Sequence, residues 1–238
     1  MAQTLENRKI VIAGGTSGIG LALAKILSAD KADLTVIGRD PAKLKSLKDA
    51  LPKVKAVGLN AGDRSALDTF FAEQKEVDHL VLALSGANGG GQFSTLDLDD
   101  LRKGFENKFW PHLNTIQAAL PYMRPDGGIT LITAISATAK LPGTSGLAAI
   151  NGALELMVPI LSKELKPLRV NAVSPGVIDT PWWGFLPEEA RNSVFADFSS
   201  KIGVGRVGRP EEVADTIRFI ITTEYISGIV IGCHGGLE

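Results

Sequence analysis

The sequence has few of the residues that build disulfide frameworks or metal sites. Its 238 residues include one cysteine, Cys233, and three histidines. A single cysteine excludes an intrachain disulfide, and the scattered histidines do not have the spacing of a structural zinc site. We therefore expect no bound metal, and an intracellular, reducing compartment fits this composition.

An excess of one charge and long apolar runs are also missing. Lys plus Arg (25) nearly balance Asp plus Glu (26), so no basic field exists to hold a nucleic-acid backbone. The first nine residues lack the apolar segment of a signal peptide, and no run approaches roughly 18 uninterrupted apolar residues. We therefore expect a cytoplasmic protein with neither a nucleic-acid partner nor a membrane partner.

The composition that is present is that of a globular protein, with 45% hydrophobic and 21% charged residues. Short runs of branched apolar residues alternate with segments of helical spacing, which predicts an α/β fold with a Rossmann-type, doubly wound parallel sheet. We expect one domain over residues 1–238, with a loop insertion near 180–204. Seven strands are predicted, at residues 9–13, 34–37, 54–57, 79–84, 129–133, 169–173 and 229–231.

A glycine-rich turn follows the first predicted strand and leads into a helix. Such a turn lets the backbone approach a pyrophosphate, whose charge the free N–H groups of the helix N-terminus receive. The alternative is a tight turn that needs glycine for positive φ angles alone. The predicted contacts of a dinucleotide phosphate are Gly14, Thr16, Ser17, Gly18, Ile19 and Gly20.

The end of the second predicted strand indicates which dinucleotide binds. Gly38-Arg39-Asp40 stands about 25 residues beyond Gly14, where the residue that contacts the adenosine ribose is expected. Gly38 offers no carboxylate to a 2'-hydroxyl, whereas Arg39 offers a guanidinium to a 2'-phosphate. This favours NADP(H), unless Asp40 turns back to the ribose or Arg39 is only a solvated surface cation.

With these residues read, the chain resembles the short-chain dehydrogenase/reductase superfamily over essentially its whole length. The segments 171–180 and 205–214 and the terminal Gly235-Gly236 add to the resemblance. It implies that the Pro-Gly turn after the sixth strand holds a nicotinamide and that the Asn-Ala pair after the third strand lies at the adenine edge. The further cofactor contacts are then Asn60, Ala61, Ser85, Gly86, Pro175, Gly176, Ile178 and Thr180.

The catalytic positions depart from the family's pattern of Asn, Ser, Tyr and Lys. Alignment places Lys108, Ala134, Leu147 and Asn151 at these four positions in turn, and the two tyrosines of the chain lie elsewhere. Leu147 cannot exchange a proton, and a general acid contributes typically 10²- to 10⁴-fold in rate. We therefore do not expect ordinary reduction of simple ketones.

Two readings remain open at this point, with a third at lower weight. The chain is an NADP(H) oxidoreductase acting on an activated substrate such as an iminium, a quinone or a conjugated carbonyl, with Lys108 and Ser136 as substitute catalytic groups. Alternatively, those two residues are structural and the fold binds NADP(H) as a sensor, a scaffold or a partner subunit. The third reading is a non-redox cyclisation or isomerisation in the same pocket.

A loop that contains Trp182, Trp183, Phe185 and Leu186, called the aromatic loop below, favours the interpretation as an enzyme. The resemblance implies this, because members of the family close a lid over the substrate at this place. The alternative is that the tryptophans pack against the core or a partner subunit. The resemblance further implies a homodimer or homotetramer formed through the helices near 110–122 and 147–165. The predicted pocket for a small-molecule substrate consists of Ala134, Leu147, Asn151, Trp182, Trp183 and Phe185.

Overall fold

The computed structural model describes residues 4–237, which form one seven-stranded sheet. Every pair of neighbouring strands is parallel, and the spatial order is β3-β2-β1-β4-β5-β6-β7. The strands are β1 (Lys9–Ala13), β2 (Asp33–Gly38), β3 (Lys55–Gly58), β4 (Val77–Leu82), β5 (Met123–Ile132), β6 (Arg169–Pro175) and β7 (Val230–Cys233). The predicted doubly wound parallel sheet is confirmed.

Helices cover both faces of this sheet, since each parallel connection crosses over one face. They are α1 (Gly18–Ala29), α2 (Pro41–Ala50), α3 (Arg64–Gln74), α4 (Leu98–Gly104), α5 (Trp110–Ala119), α6 (Ser145–Glu164), α7 (Glu188–Lys201) and α8 (Pro210–Thr222). On one face Leu23 of α1 and Ile217 of α8 are buried against the strands. On the other face Phe71, Ile116 and Leu154 of α3, α5 and α6 are buried.

The sheet reverses its direction of growth beside β1. Ile12 lies opposite Val36 of β2 on one side and opposite Val81 of β4 on the other. The chain builds outward from β1 to β3 and then continues in the opposite direction from β4 to β7. The crevice outside the carboxyl ends of the strands at such a switch point is where open α/β sheets bind ligands.

All seven predicted strands exist, but only the bounds of β1 match, and the bounds of two strands differ most from the prediction. The strand predicted at 79–84 is β4, Val77–Leu82, so Ala83 and Leu84 belong to the loop at the mouth of the crevice. The strand predicted at 129–133 begins earlier, at Met123, because its first residues pair with Val77 before the register shifts. Apolar runs report burial, and burial does not stop where strand pairing stops.

The helix α6 is long and apolar enough to span a membrane by length and composition. Core helices of soluble proteins pass the same test. Because α6 makes the crossover between β5 and β6, its Leu154 and Val158 are buried against the sheet, whereas Leu156 and Ile160 on its outer face are exposed.

Candidate functional site

A cleft of about 730 Å³ opens at the carboxyl ends of the strands. The sequence segments that line it come from both halves of the sheet, from residue 14 to residue 237. The structure brings together in this cleft every predicted cofactor contact: Gly14, Thr16, Ser17, Gly18, Ile19, Gly20, Arg39, Asn60, Ala61, Ser85, Gly86, Pro175, Gly176, Ile178 and Thr180.

The N-terminus of α1 is open toward this cleft. Ser17 caps the helix without a side-chain hydrogen bond, and the first turn carries no acidic residue. Gly14 has a φ of +87°, and a Cβ there would lie 2.5 Å from the Ala83 carbonyl oxygen. The tight turn therefore accounts for Gly14, while the free N–H groups and the positive end of the helix dipole remain for an anion.

The end of β2 presents cations to the cleft, and the carboxylate beside them is bound within a helix. Asp40 is the N-cap of α2, and its Oδ1 accepts hydrogen bonds from the backbone N–H groups of Ala42 at 2.9 Å and Lys43 at 3.2 Å. Its carboxylate is thus used within the helix. Arg39 is exposed, lines the cleft with Lys43, and forms no ion pair within residues 4–237.

The glycine at the end of β2 has a packing reason as well. A Cβ on Gly38 would lie 2.6 Å from Thr16 Cγ2, closer than packed carbon atoms approach. A larger residue at this position would require the Thr16 side chain to turn away. Gly38 therefore lets Thr16 of the phosphate loop pack directly on the end of β2.

The adenine and nicotinamide ends of the cleft are shaped by short local contacts. Asn60 Oδ1 accepts from the Gly62 N–H at 3.1 Å, which holds the turn after β3, and Ala61 is buried beside it. Thr180 Oγ1 accepts from the Trp182 N–H at 3.4 Å and starts the turn of the aromatic loop. Both contacts fix backbone at the rim of the cleft.

A π-helical turn, residues Phe105–Phe109, joins α4 to α5 and places Lys108 in the interior. Pro111 follows, and proline cannot donate the backbone hydrogen bond that would continue a regular α-helix. His112 Nδ1 donates to the Lys108 carbonyl oxygen at 2.7 Å, because that oxygen can only accept. Burial and, to a smaller extent, the Lys108 charge lower the pKa of His112 to about 3, so the ring is neutral.

The Lys108 ammonium lies at the floor of the cleft with 8% of the residue exposed. Its Nζ donates to the Thr133 carbonyl oxygen at 3.2 Å. The Thr133 hydroxyl in turn donates to Glu155 Oε1 at 2.7 Å. Burial lowers the pKa of Lys108 to about 8, and the Glu155 charge opposes this shift. A lysine with this pKa is suited to give and take a proton near neutral pH.

The first turns of α6 complete the catalytic end. Leu147 and Asn151 are one turn apart, so both face the cleft that they line. Asn151 Nδ2 donates to the Leu147 carbonyl oxygen at 3.0 Å and to Ser136 Oγ at 3.1 Å. Ser136 lies in a 3₁₀ turn at residues Ile135–Ala137 and lines the cleft together with Ala134. The amide thus occupies an acceptor position of the Ser136 hydroxyl and leaves its proton free.

The aromatic loop closes one side of the cleft. Trp182 Nε1 donates to the Gly86 carbonyl oxygen at 3.3 Å, which connects the loop to the opposite rim. Trp183 Nε1 donates to the Ile178 carbonyl oxygen at 3.0 Å, and its ring packs edge-on against Phe195 of α7. Phe185 is outside the cleft lining: it is 58% exposed and packs against both tryptophan rings.

Several residues of the cleft were not singled out by the sequence. Lys43 stands one helical turn beyond Arg39, a spacing that could have indicated a second cation. Glu155 does not line the cleft but accepts from the Thr133 hydroxyl beside it; it stands one turn beyond Asn151 on α6 and could have been found by the same rule. Asn88 and Phe198 also line the cleft, and nothing in their local sequence points to it.

A sequence profile described as Enoyl-(Acyl carrier protein) reductase matches residues 13–238. The 3-oxoacyl-(acyl-carrier-protein) reductase of Thermotoga maritima is 34% identical over an alignment of 259 positions, gaps included. The alignment covers 98% of this chain and 98% of that protein. The match to the sequence profile extends from the phosphate loop to the last residue of the chain.

Two solved structures are similar as well. A small-chain dehydrogenase in complex with NADPH is 28% identical, with a TM-score of 0.84 over 98% of this chain and 99% of that one. The MalC Reductase/Diels-Alderase of Malbranchea aurantiaca is 25% identical, with a TM-score of 0.89 over 98% of this chain and 96% of that one. Together with the cleft at the switch point and the profile match, these likenesses establish that the chain belongs to the short-chain dehydrogenase/reductase family.

Proposed function

We propose that the protein is an NADP(H)-dependent oxidoreductase that acts on an activated small organic substrate. The observation that carries this proposal is the cation Arg39, which forms no ion pair within residues 4–237 and lies beside an open phosphate loop, with the Asp40 carboxylate held in its own helix. A 2'-phosphate finds a bidentate donor in Arg39, whereas the Asp40 Oδ1 that a 2'-hydroxyl could use already accepts from two backbone N–H groups. The relative solved with NADPH supports the same cofactor.

The residues of the cleft fit the two ends of such a cofactor. The α1 N-terminus, with Ser17 and Gly18, would hold the pyrophosphate, and Arg39 with Lys43 would hold the 2'-phosphate. The other predicted contacts, from Asn60 to Thr180, line the remainder of the cleft. When bound, the nicotinamide supplies or accepts a hydride, and the protein contributes orientation and a desolvated pocket.

In this proposal, Ser136 donates a proton to the substrate and Lys108 holds a proton and its charge in the cleft. The Ser136 hydroxyl, which accepts from Asn151, keeps its proton to donate to a substrate oxygen. Lys108 would hold a proton at Nζ, because its pKa of about 8 leaves it mostly protonated at pH 7. Leu147 has no proton to give, so a substrate activated before reduction, such as a quinone, a conjugated carbonyl or an iminium, suits this site.

The substrate pocket is apolar on the side of the aromatic loop. Leu147, Trp182 and Trp183 would contact the substrate, with Ala134 and Asn151 at its polar end. Phe185 supports the tryptophan rings from outside. A planar conjugated substrate matches such walls, because aromatic rings offer large flat contact areas.

Fluorescence titration of the purified protein with NADPH and NADH tests the cofactor. We expect Arg39→Ala to weaken NADPH binding about 10- to 100-fold, the value of a charge-assisted contact, and to leave NADH binding unchanged. Arg102→Ala, which removes an exposed arginine outside the cleft, is the matched control. An equal loss for both dinucleotides in Arg39→Ala would contradict the specificity argument.

A second candidate, binding without redox turnover, is favoured by Leu147 at the position of the family's proton donor. The chain would then serve as a sensor, a scaffold or a partner subunit, or would promote a cyclisation or isomerisation in its pocket. The structural relative from Malbranchea aurantiaca is a Reductase/Diels-Alderase, which supports the cyclisation variant. NADPH consumption with quinones, enones and iminium compounds separates redox turnover from these roles.

We also propose that the chain forms a homodimer or homotetramer through α5 and α6. Trp110 on α5 is 47% exposed, and Leu156 and Ile160 on α6 are 74% and 55% exposed. Exposed large apolar side chains on these two helices favour burial against a second copy. Light scattering of the purified chain measures the oligomeric state, and Leu156→Glu with Ile160→Glu is expected to give a monomer.

A further inference from the structure

A third apolar cluster lies apart from the two clusters that cover the faces of the sheet. Its buried members are Val177, Ile202 and Leu237, which come from the segment after β6, the end of α7 and the turn after β7. The cluster therefore joins α7 to the carboxyl ends of β6 and β7. The half-buried side chains that pack against these three are Ile135, Trp183, Phe195, Phe198 and Val207.

The turn after β7, residues 234–237, is bound by its backbone to the segment that leaves α7. The Val204 N–H donates to the Gly235 carbonyl oxygen at 3.0 Å. Gly235 has a φ of +65°, and a Cβ there would lie 2.8 Å from Ile202 Cγ2, so glycine permits this close approach. The Leu237 N–H donates to the His234 carbonyl oxygen at 3.2 Å. The turn thus fixes the Leu237 side chain, which is 3% exposed, in the third cluster.

The position of α7 depends on this cluster. Every residue of α7 is exposed or half-buried, and its Phe195 and Phe198 pack into the third cluster. A helix with so few buried contacts is held weakly, so each buried partner at its end matters for where it lies. Leu237 is such a partner, because it is buried in the same cluster as Ile202, the residue that ends the helix.

The same cluster forms one wall of the cleft. Leu237 is the most buried of the cluster members that line it, so its side chain forms the base of this wall. The wall has apolar side chains and adjoins the aromatic loop through Trp183. It therefore selects among substrates by size and shape. The cluster members that line the cleft are Ile135, Val177, Trp183, Phe198 and Leu237.

We propose that Leu237 is a specificity-determining residue, whose side chain closes the apolar end of the substrate pocket and sets the size of the planar substrate that fits. The inference rests on the proposed function and adds to it a residue far from the aromatic loop in the sequence. One methylene more or less in an apolar pocket is worth about 10- to 200-fold in discrimination. Truncating Leu237 should therefore move the preference toward larger substrates.

Two planar quinones of different size serve as probes, duroquinone and the larger phenanthrenequinone. Both lack an unsubstituted quinone position for the Cys233 thiol to attack. Quenching of tryptophan fluorescence in the protein saturated with NADP⁺ gives the affinity of each quinone without turnover. Nicotinamide fluorescence gives the affinity of NADPH, and NADPH consumption reports reduction separately.

We expect Leu237→Ala to change the ratio of the two quinone affinities by about 10-fold or more in favour of phenanthrenequinone, with NADPH affinity within about threefold of the wild type. Leu237→Met keeps the side-chain volume, and its ratio is expected within about threefold of the wild type. Leu168→Ala is the matched control, because it removes the same atoms from a buried leucine outside the cleft. Its ratio is expected to equal that of the wild type.

Leu237→Val removes one methylene and is expected to change the ratio in the same direction, which provides the test if Leu237→Ala does not fold. An unchanged ratio in the folded Leu237 variants, or the same change in Leu168→Ala, would overturn the inference. So would a wild type that binds NADPH but neither quinone. A wild type that binds both quinones without consuming NADPH would overturn the proposed redox function and leave Leu237 as the wall of a binding pocket.

Discussion

Replacing the buried Lys108 by methionine should change how stability depends on pH. The pKa of Lys108 falls from 10.5 in the unfolded chain to about 8 in the folded protein, because burial penalises the ammonium. At 1.36 kcal/mol for each pKa unit, the charge costs about 3 kcal/mol of stability at pH 7. Methionine keeps an unbranched side chain of similar length and removes this charge.

The sign of the effect follows from proton counting. The unfolded state binds more protons than the folded state between pH 8 and 10.5, so the wild type gains stability as the pH rises through this window. With these two pKa values, the gain from pH 7 to pH 9.5 is about 2 kcal/mol. Lys108→Met has no such gain. The hydrogen bond that it loses to Thr133 weakens in the wild type when Nζ loses its proton, and this change is already contained in the folded-state pKa.

Urea denaturation of both proteins at pH 7, 8, 9 and 9.5 measures the difference. We expect the free energy of unfolding of Lys108→Met, relative to the wild type, to decrease by about 2 kcal/mol across this range. Lys48→Met, which removes an exposed lysine on α2, is the control and is expected to follow the wild type. A constant difference between Lys108→Met and the wild type would refute the perturbed pKa and with it the suitability of Lys108 as a proton donor near neutral pH.

Three further outcomes are expected. Arg169→Met should lower the free energy of unfolding by about 3 kcal/mol or more in urea titrations. The reason is that the buried guanidinium donates to four carbonyl oxygens at and beyond the end of α8. The control Arg102→Met, at the surface, should lower it by less than about 0.5 kcal/mol. Trp182→Phe should release NADPH about fivefold faster in stopped-flow fluorescence, because it loses the bond to Gly86 while keeping an aromatic ring; an unchanged rate would show that the bond does not hold the cleft closed. Simple ketones should be reduced about 10²- to 10⁴-fold more slowly than activated substrates, since Leu147 gives no proton, and equal rates in an NADPH-consumption assay would show that another group replaces it.

The cofactor half of the cleft could be predicted from the sequence because its signals are local. The phosphate loop is a strand, a glycine turn and a helix within residues 9–29, and each part has a mechanical reason that short segments reveal. Whether Asp40 turns back to the ribose could also be judged from local sequence, since an Asp followed by Pro41 is a typical helix start. The structure shows the carboxylate bound to its own helix.

The catalytic half depends on contacts between residues far apart in the chain. Nothing near Lys108 indicates that its ammonium is buried beside Thr133, 25 residues away. The direction of Phe185 likewise depends on how Trp182 and Trp183 fill the loop, which spacing alone does not determine. Alignment to the family named the positions, and only the fold gives their environment.

The exposure of α7 affects how the range of substrates can change during evolution. None of its residues is buried, although it lies beside the aromatic loop through the contact of Phe195 with Trp183. Substitutions at the exposed positions of this helix cost little stability, while the sheet that positions the cofactor remains untouched. The protein can therefore diversify, in nature or in directed evolution, at those positions, provided that Phe195 and Phe198 keep their packing beside Ile202 and Leu237.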